Sequence, residues 1–121
     1  MEPVLNDGVY AYTSVPHGTD TSQIPTIATM HEVEGITLIL SEEQALMLGL
    51  PVMFRCAWIT LNVHSDLNSV GLTAAFAKVL GDAGISCNLV AGAYHDHIFV
   101  QIELAGKAEA ALRQLQQSSK H

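Results

Sequence analysis

Phe54-Arg55-Cys56-Ala57-Trp58-Ile59-Thr60-Leu61-Asn62-Val63 is the stretch on which the fold turns. Read as a strand, it shows Phe54, Cys56, Trp58, Thr60 and Asn62 on one face. Arg55, Ala57, Ile59, Leu61 and Val63 take the other. Neither face is uniformly polar, so this strand is central and covered over much of both sides.

Working downstream, residues 69–83 predict a helix. Lys78, Asp82, Gly71 and Ala75 share one narrow side, while Leu72, Val79, Ala83, Phe76, Leu80, Ala77, Val70 and Ala74 fill well over half of the circumference. A helix lying on one sheet and otherwise wet needs an apolar stripe only about 100° wide, so this one is expected to be covered from two directions. Gly84 ends it. Ile85 to Ala91 reads as a strand, Gly92 to Asp96 as a turn, and His97 to Leu104 as the returning strand, with Ile98, Val100, Ile102 and Leu104 on one face. After Gly106, a last helix carries one apolar stripe of Ala108, Ala111, Leu112 and Leu115. From Phe54 the order is β-α-β-β-α, a split βαβ unit of the ferredoxin-like kind that lacks only its final strand.

Working upstream, Val9 to Val15 alternates as a strand and His17 to Pro25 is polar and rich in turn formers. Residues 27–33 and 36–40 read as a hairpin, with Gly35 supplying a positive φ in the turn. Ser41 to Gln44 is a capping box opening a helix that Gly49 and Pro51 keep short. Residues 9–52 therefore look like a truncated copy of the same unit without its first helix. The expectation is an α+β chain with an antiparallel sheet and helices on one face. It divides into a truncated lobe, 1–53, and a second lobe, 54–121, sharing the strand 54–63. The second lobe should have strand order fourth-first-third-second, its fourth place filled by the strand around Val9–Val15.

The 121 residues suffice for one hydrophobic core. Only 14% are charged, which suggests that some apolar surface is covered by a second copy, as a homodimer or higher homo-oligomer. Twelve acids against five scattered bases give a net charge of −7, which argues against nucleic acid and anionic membranes as partners. No apolar run is long enough to span a bilayer, and Met1-Glu2-Pro3-Val4 is acidic where a secretion signal is basic. A cytoplasmic protein is expected, with Cys56 and Cys87 as buried thiols.

Two blocks, Ile59 to Leu72 and Ala83 to Val100, resemble the ACT domain, and more narrowly the small stand-alone ACT-like proteins once classed as a domain of unknown function. The strongest single signal is the block Cys87 to Val100, with its run Gly92-Ala93-Tyr94-His95-Asp96-His97-Ile98-Phe99-Val100. The likeness extends through Ile27 to Leu40 and Phe54-Arg55-Cys56, nearly the whole chain. It implies a ferredoxin-like fold, pairing between copies and, in many members, a free amino acid bound at the paired interface as a regulatory signal. The family's ligand loop resembles His64 to Gly71, and its facing strand resembles Ile85 to Ala91. Asp66 and Gly71 supply the usual acid and glycine, one residue further apart than the commonest spacing. The resemblance brings no enzyme with it.

The same loop can be read physically. It ends at a helix N-terminus, whose unpartnered N–H groups favour a carboxylate, and Gly71 has no Cβ to block approach. The candidate ligand-binding residues are His64, Ser65, Asp66, Leu67, Asn68, Val70, Gly71 and Leu72, with Asn62 and Asn88 reading the remainder of an amino acid. Ser65, Asp66, Asn68 and Ser69 serve equally well as plain helix caps. His95 and His97 fall on one face if extended, with His64 a conceivable third metal ligand, but the segment reads better as a polar turn entering a strand. No nucleophile motif, glycine-rich phosphate loop or paired-carboxylate signal occurs, and Cys87 should point into the core. No enzyme, metal or cofactor is expected. The alternative to a ligand-binding regulator is a structural or partner-binding oligomerisation module.

Overall fold

The computed structural model describes residues 2–62 and 71–118. In chain order its elements are β1 (Pro3–Leu5), β2 (Tyr10–Val15), β3 (Ala28–His31), β4 (Ile36–Ser41), α1 (Glu42–Met47), β5 (Phe54–Leu61), α2 (Leu72–Asp82), β6 (Asn88–Ala91), β7 (Asp96–Gln101) and α3 (Ala105–Ser118). They form two compact units. The N-terminal unit is Gly8–Cys56; the C-terminal unit takes Met1–Asp7 and Ala57–His121.

In the N-terminal unit β4 lies between β3 and β2, and β2 pairs on its other edge with Phe54–Cys56. All these pairs are antiparallel. The register opposes Ala11 with Leu40 and Val15 with Ile36, and these residues, with Leu38 and Ala45 of α1, make the buried core. The helix starts as its sequence predicts: Ser41 Oγ accepts the Gln44 N–H at 3.2 Å. It ends after six residues, where Gly49 at φ +68° lets the Leu50 N–H reach back to the Ala45 carbonyl at 2.9 Å.

Gly35 departs from expectation, for its φ is not positive. The residue is required by space instead. A Cβ there would stand 2.9 Å from the Val15 carbonyl oxygen and 3.2 Å from Ser14 Oγ. The hairpin loop, closed by a 2.9 Å bond from the Glu32 N–H to the Gly35 carbonyl, lies against the end of β2.

In the C-terminal unit β7 lies between β5 and β6. The fourth place, on the other edge of β5, is divided. Pro3–Leu5 pairs with Ile59–Leu61, while the Val9–Val15 region reaches only Phe54–Cys56, through Tyr10–Tyr12. Pro3 hid β1 from the sequence reading, since proline in a strand is tolerated only at an edge or first position, and here it is the first residue. α2 and α3 cover one face. Phe76 and Leu80 from α2, with Ala108 and Leu112 from α3, bury fully against Ala57, Ile59, Leu61, Ile98 and Val100. Each large side chain so buried contributes about 1.5–3 kcal/mol.

Three boundaries differ from the sequence reading. α2 begins at Leu72 rather than residue 69, because Gly71 at φ +101° is not helical. Ile85–Cys87 is not strand: Gly84 at φ +76° turns the chain so that the Ile85 N–H caps the Leu80 carbonyl at 2.9 Å. β7 stops at Gln101, and Ile102–Leu104 make a 3-10 turn that still packs Ile102 and Leu104 on the same core. The doubly covered α2 is not seen within the chain either. Leu72, Ala74 and Ala77 are exposed, and only Phe76 and Leu80 are fully buried. Among the described residues, no helix is long and apolar enough to cross a membrane.

Candidate functional site

Of the ten residues that the sequence nominated for a ligand, His64, Ser65, Asp66, Leu67, Asn68 and Val70 lie outside the described residues. Gly71 is the N-cap of α2. Among the described residues, nothing lies within 4 Å of where its Cβ would be. Leu72, the first helical residue, is 37% exposed. Asn62 is exposed just beyond β5, its N–H on the Glu2 carbonyl at 3.3 Å. Asn88 is opposite Phe99 in the β6–β7 register, and its Nδ2 donates to the Phe99 carbonyl at 3.1 Å. Phe99 alternates with the core residues Ile98 and Val100, so Asn88 stands on the sheet face away from α2 and α3.

That helix-free face holds a polar–aromatic cluster in which the sequence reading saw only fragments. Trp58 and Thr60 of β5 meet His97 and Phe99 of β7 there. The Trp58 ring stacks on Phe99 at 6.3 Å between centroids and lies 5.8 Å from the His97 ring. Trp58 Nε1–H donates to His97 Nδ1 at 3.0 Å, and Thr60 Oγ1 stands 3.4 Å from the same nitrogen. An indole nitrogen can only donate, so Nδ1 is the bare nitrogen of a neutral ring and the proton sits on Nε2. From the other side Asn6 Nδ2 donates to the Trp58 carbonyl at 3.1 Å and to Thr60 Oγ1 at 3.0 Å.

Burial pushes the His97 pKa down, helped by the neighbouring His95 ring and opposed by Asp96. The two histidine rings are 6.5 Å apart, and among the described residues no third donor joins them. His97 Nδ1 is already committed to Trp58, which leaves a poor start for a metal. The alternation of β5 places Trp58 and Thr60 on one face, as the sequence predicts. The β5–β7 pairing, which the expected strand order contains, brings His97 to them.

Neither thiol is poised for chemistry. Burial pushes Cys56 up to about 12, and Cys87, packed against the core, is raised for the same reason. A thiol held protonated is a weak nucleophile. On the helix-free face Phe99 is fully buried and Trp58 half-buried, and the polar groups of the cluster are bonded to one another.

Two models of the ACT domain match the chain, one over residues 1–57 and the other over residues 54–114. The chain belongs to the ACT domain family. It is a tandem of two ACT regions, and its class of function is that of the ACT domain, a non-catalytic module for regulation and binding. No curated protein matches it. Among solved structures it is similar to a Vibrio cholerae protein of unknown function titled a possible transport protein. That structure shares 46% identity over 94% of this chain and 88% of the other, with a TM-score of 0.86. Two more share the fold at low identity. An Agrobacterium tumefaciens protein is 11% identical over 94% of this chain and 87% of its own, with a TM-score of 0.77. The regulatory subunit of aspartate kinase from Thermus flavus is 9% identical over 95% and 97%, with a TM-score of 0.68.

Proposed function

We propose that this ACT tandem is a cytoplasmic regulatory module that binds a free amino acid between the 64–71 loop and the segment 85–91, and that it works as a homodimer. The observation that carries the ligand reading is Gly71. It caps an 11-residue helix, no described residue would meet a Cβ placed on it, and its φ of +101° suits glycine alone. The first N–H groups of a helix have no intrahelical partner and so favour a carboxylate, and Asp66 offers a counter-charge for an ammonium. A fold shared with the regulatory subunit of aspartate kinase supports the class of role. Calorimetric titration against the twenty amino acids is the test. One of them should bind, Asp66→Ala should abolish that binding, and Gly71→Val should block it. No heat with any amino acid would favour the second reading, a pure oligomerisation module. One observation supports pairing of copies: among the described strands β6 lies at an edge of the sheet. Sedimentation at micromolar concentration should then show twice the 13.0 kDa chain mass.

A further inference from the structure

The N-terminal unit carries a cavity that the amino-acid reading does not use. It has a volume of about 530 Å³, within the range of small-molecule sites, and its lining includes Tyr12, Ser14, Glu32, Glu34, Thr37 and Phe54. The register explains why these residues meet. Tyr12 opposes Phe54 and Ser14 opposes Thr37, so all four share the sheet face turned away from Ala11, Val15, Leu40 and α1. Gly35 lets the 32–35 loop lie against the end of β2, which brings Glu32 and Glu34 to the cavity.

The chemistry of the lining is one-sided. Two glutamates line it and no lysine or arginine does. Among the described residues neither glutamate has an ion-pair partner, since Arg55 is taken by Glu42. Glu32 is held in place: the Thr37 hydroxyl donates to its Oε1, and its N–H is bonded in the loop. A carboxylate has about four lone-pair sites, so one such bond leaves most of its accepting capacity free. Beside the acids, Tyr12 and Phe54 pack edge to face with centroids 5.6 Å apart. Burial, with the nearby Cys56, pushes the Tyr12 hydroxyl up to about 12, so it remains a neutral donor. Met53, 69% exposed, adds a flexible apolar wall.

We propose that this cavity is a binding site for an organic ammonium ion, its cationic head held by Glu32 and Glu34 and its apolar body resting on Tyr12, Phe54 and Met53. Carboxylates and aromatic faces both attract an ammonium, by charge and by ring quadrupole. The net charge of −7 favours the approach of a cation. A carboxylate on the ligand would meet the two glutamates, so the site selects amines that lack one. It is therefore distinct from a site for free amino acids.

The test is titration of the full chain with 2-phenylethylammonium, followed by calorimetry and by amide chemical shifts. Phenylalanine and 3-phenylpropanoate serve as the carboxylate-bearing comparisons. Phenylethylammonium should bind and shift residues of β2, the 32–35 loop and Phe54. Phenylalanine should bind at least about tenfold more weakly, and phenylpropanoate not at all. The E32Q/E34Q double variant keeps the hydrogen-bonding shape of both side chains and should lose about tenfold or more in affinity, with an unchanged circular dichroism spectrum. Phe54→Leu should weaken binding severalfold. Equal binding of phenylpropanoate, unchanged affinity in the double variant, or no shifts at millimolar amine would overturn the proposal. So would binding of a lysine-bearing peptide in place of the free amine, which would make the cavity a protein contact.

Discussion

The N-terminal unit backs its sheet with one helix of six residues, whereas the C-terminal unit uses helices of 11 and 14. Both helix-backed faces are buried, but at different scale. Phe76, Leu80 and Leu112 anchor the larger core, and a single alanine, Ala45, is what α1 buries in the smaller. The balance on the surface is the reverse. Among the described residues, Met30, Val33, Leu46, Met47, Leu48 and Met53 are exposed in the N-terminal unit, against Val4, Leu72 and Tyr94 in the other. Cutting down the helical cover of an ACT region thus moves apolar side chains from core to surface. Among the described residues, the larger buried core lies in one unit and most exposed large apolar side chains in the other.

The largest expected effect tests the first half of that contrast. Phe76→Ala should cost about 3–5 kcal/mol in urea denaturation, because a fully buried ring leaves a cavity between α2 and the sheet. A cost under about 1 kcal/mol would mean that helical cover is not what stabilises the larger unit. Next in size, Gly35→Ala should cost about 1–3 kcal/mol, since its Cβ would press on the backbone oxygen of Val15 and displace the loop. The same variant should weaken any ligand of the N-terminal cavity. Ser41→Ala removes the side-chain cap of α1 and should cost about 0.5–2 kcal/mol. A null result there would show that so short a helix is held by its neighbours alone.

The smallest effect is a pH dependence confined to the C-terminal unit. His97 is a base whose folded pKa lies below its ordinary 6.5, because burial and His95 disfavour the charged ring. The unfolded chain therefore binds the proton first. Stability from this group is complete above pH 6.5 and falls as the pH drops toward the depressed folded value. Thermal midpoints measured from pH 7.5 down to pH 5 should decline in the wild type and decline less in His97→Gln. A wild-type slope of the opposite sign would contradict the neutral ring bonded to Trp58.

Strong periodicity made most of this architecture legible. Phe54–Leu61 read correctly as a central strand because apolar residues occupy both of its faces, and α3 because Ala108 and Leu112 fall on one stripe. What escaped depended on partners far along the chain. Pro3–Leu5 is three residues long and is a strand only because Ile59–Leu61 lies beside it. The wide apolar arc of α2 predicts cover from two directions, yet within the chain Ala74 and Ala77 stand exposed in it, and alanine tolerates water. The Trp58–His97 bond joins residues 39 positions apart, which no spacing rule anticipates. The cavity of the N-terminal unit needed the β2–β4 register before Glu32, Thr37 and Tyr12 could be seen as neighbours.

The division of β5's edge between β1 and β2 also orders events in time. Gly8–Cys56 draws its strand partners from its own stretch of sequence, so each is available as soon as that stretch leaves the ribosome. β1, though made earlier, has nothing to pair with until Ile59–Leu61 emerges. Its outer side waits longer still, for Arg113 to donate to the Pro3 carbonyl at 3.3 Å and for Gln116 to reach Glu2 at 3.1 Å. Among the described strands, the first to be translated is thus among the last to be secured, and contacts of such long sequence separation form slowly.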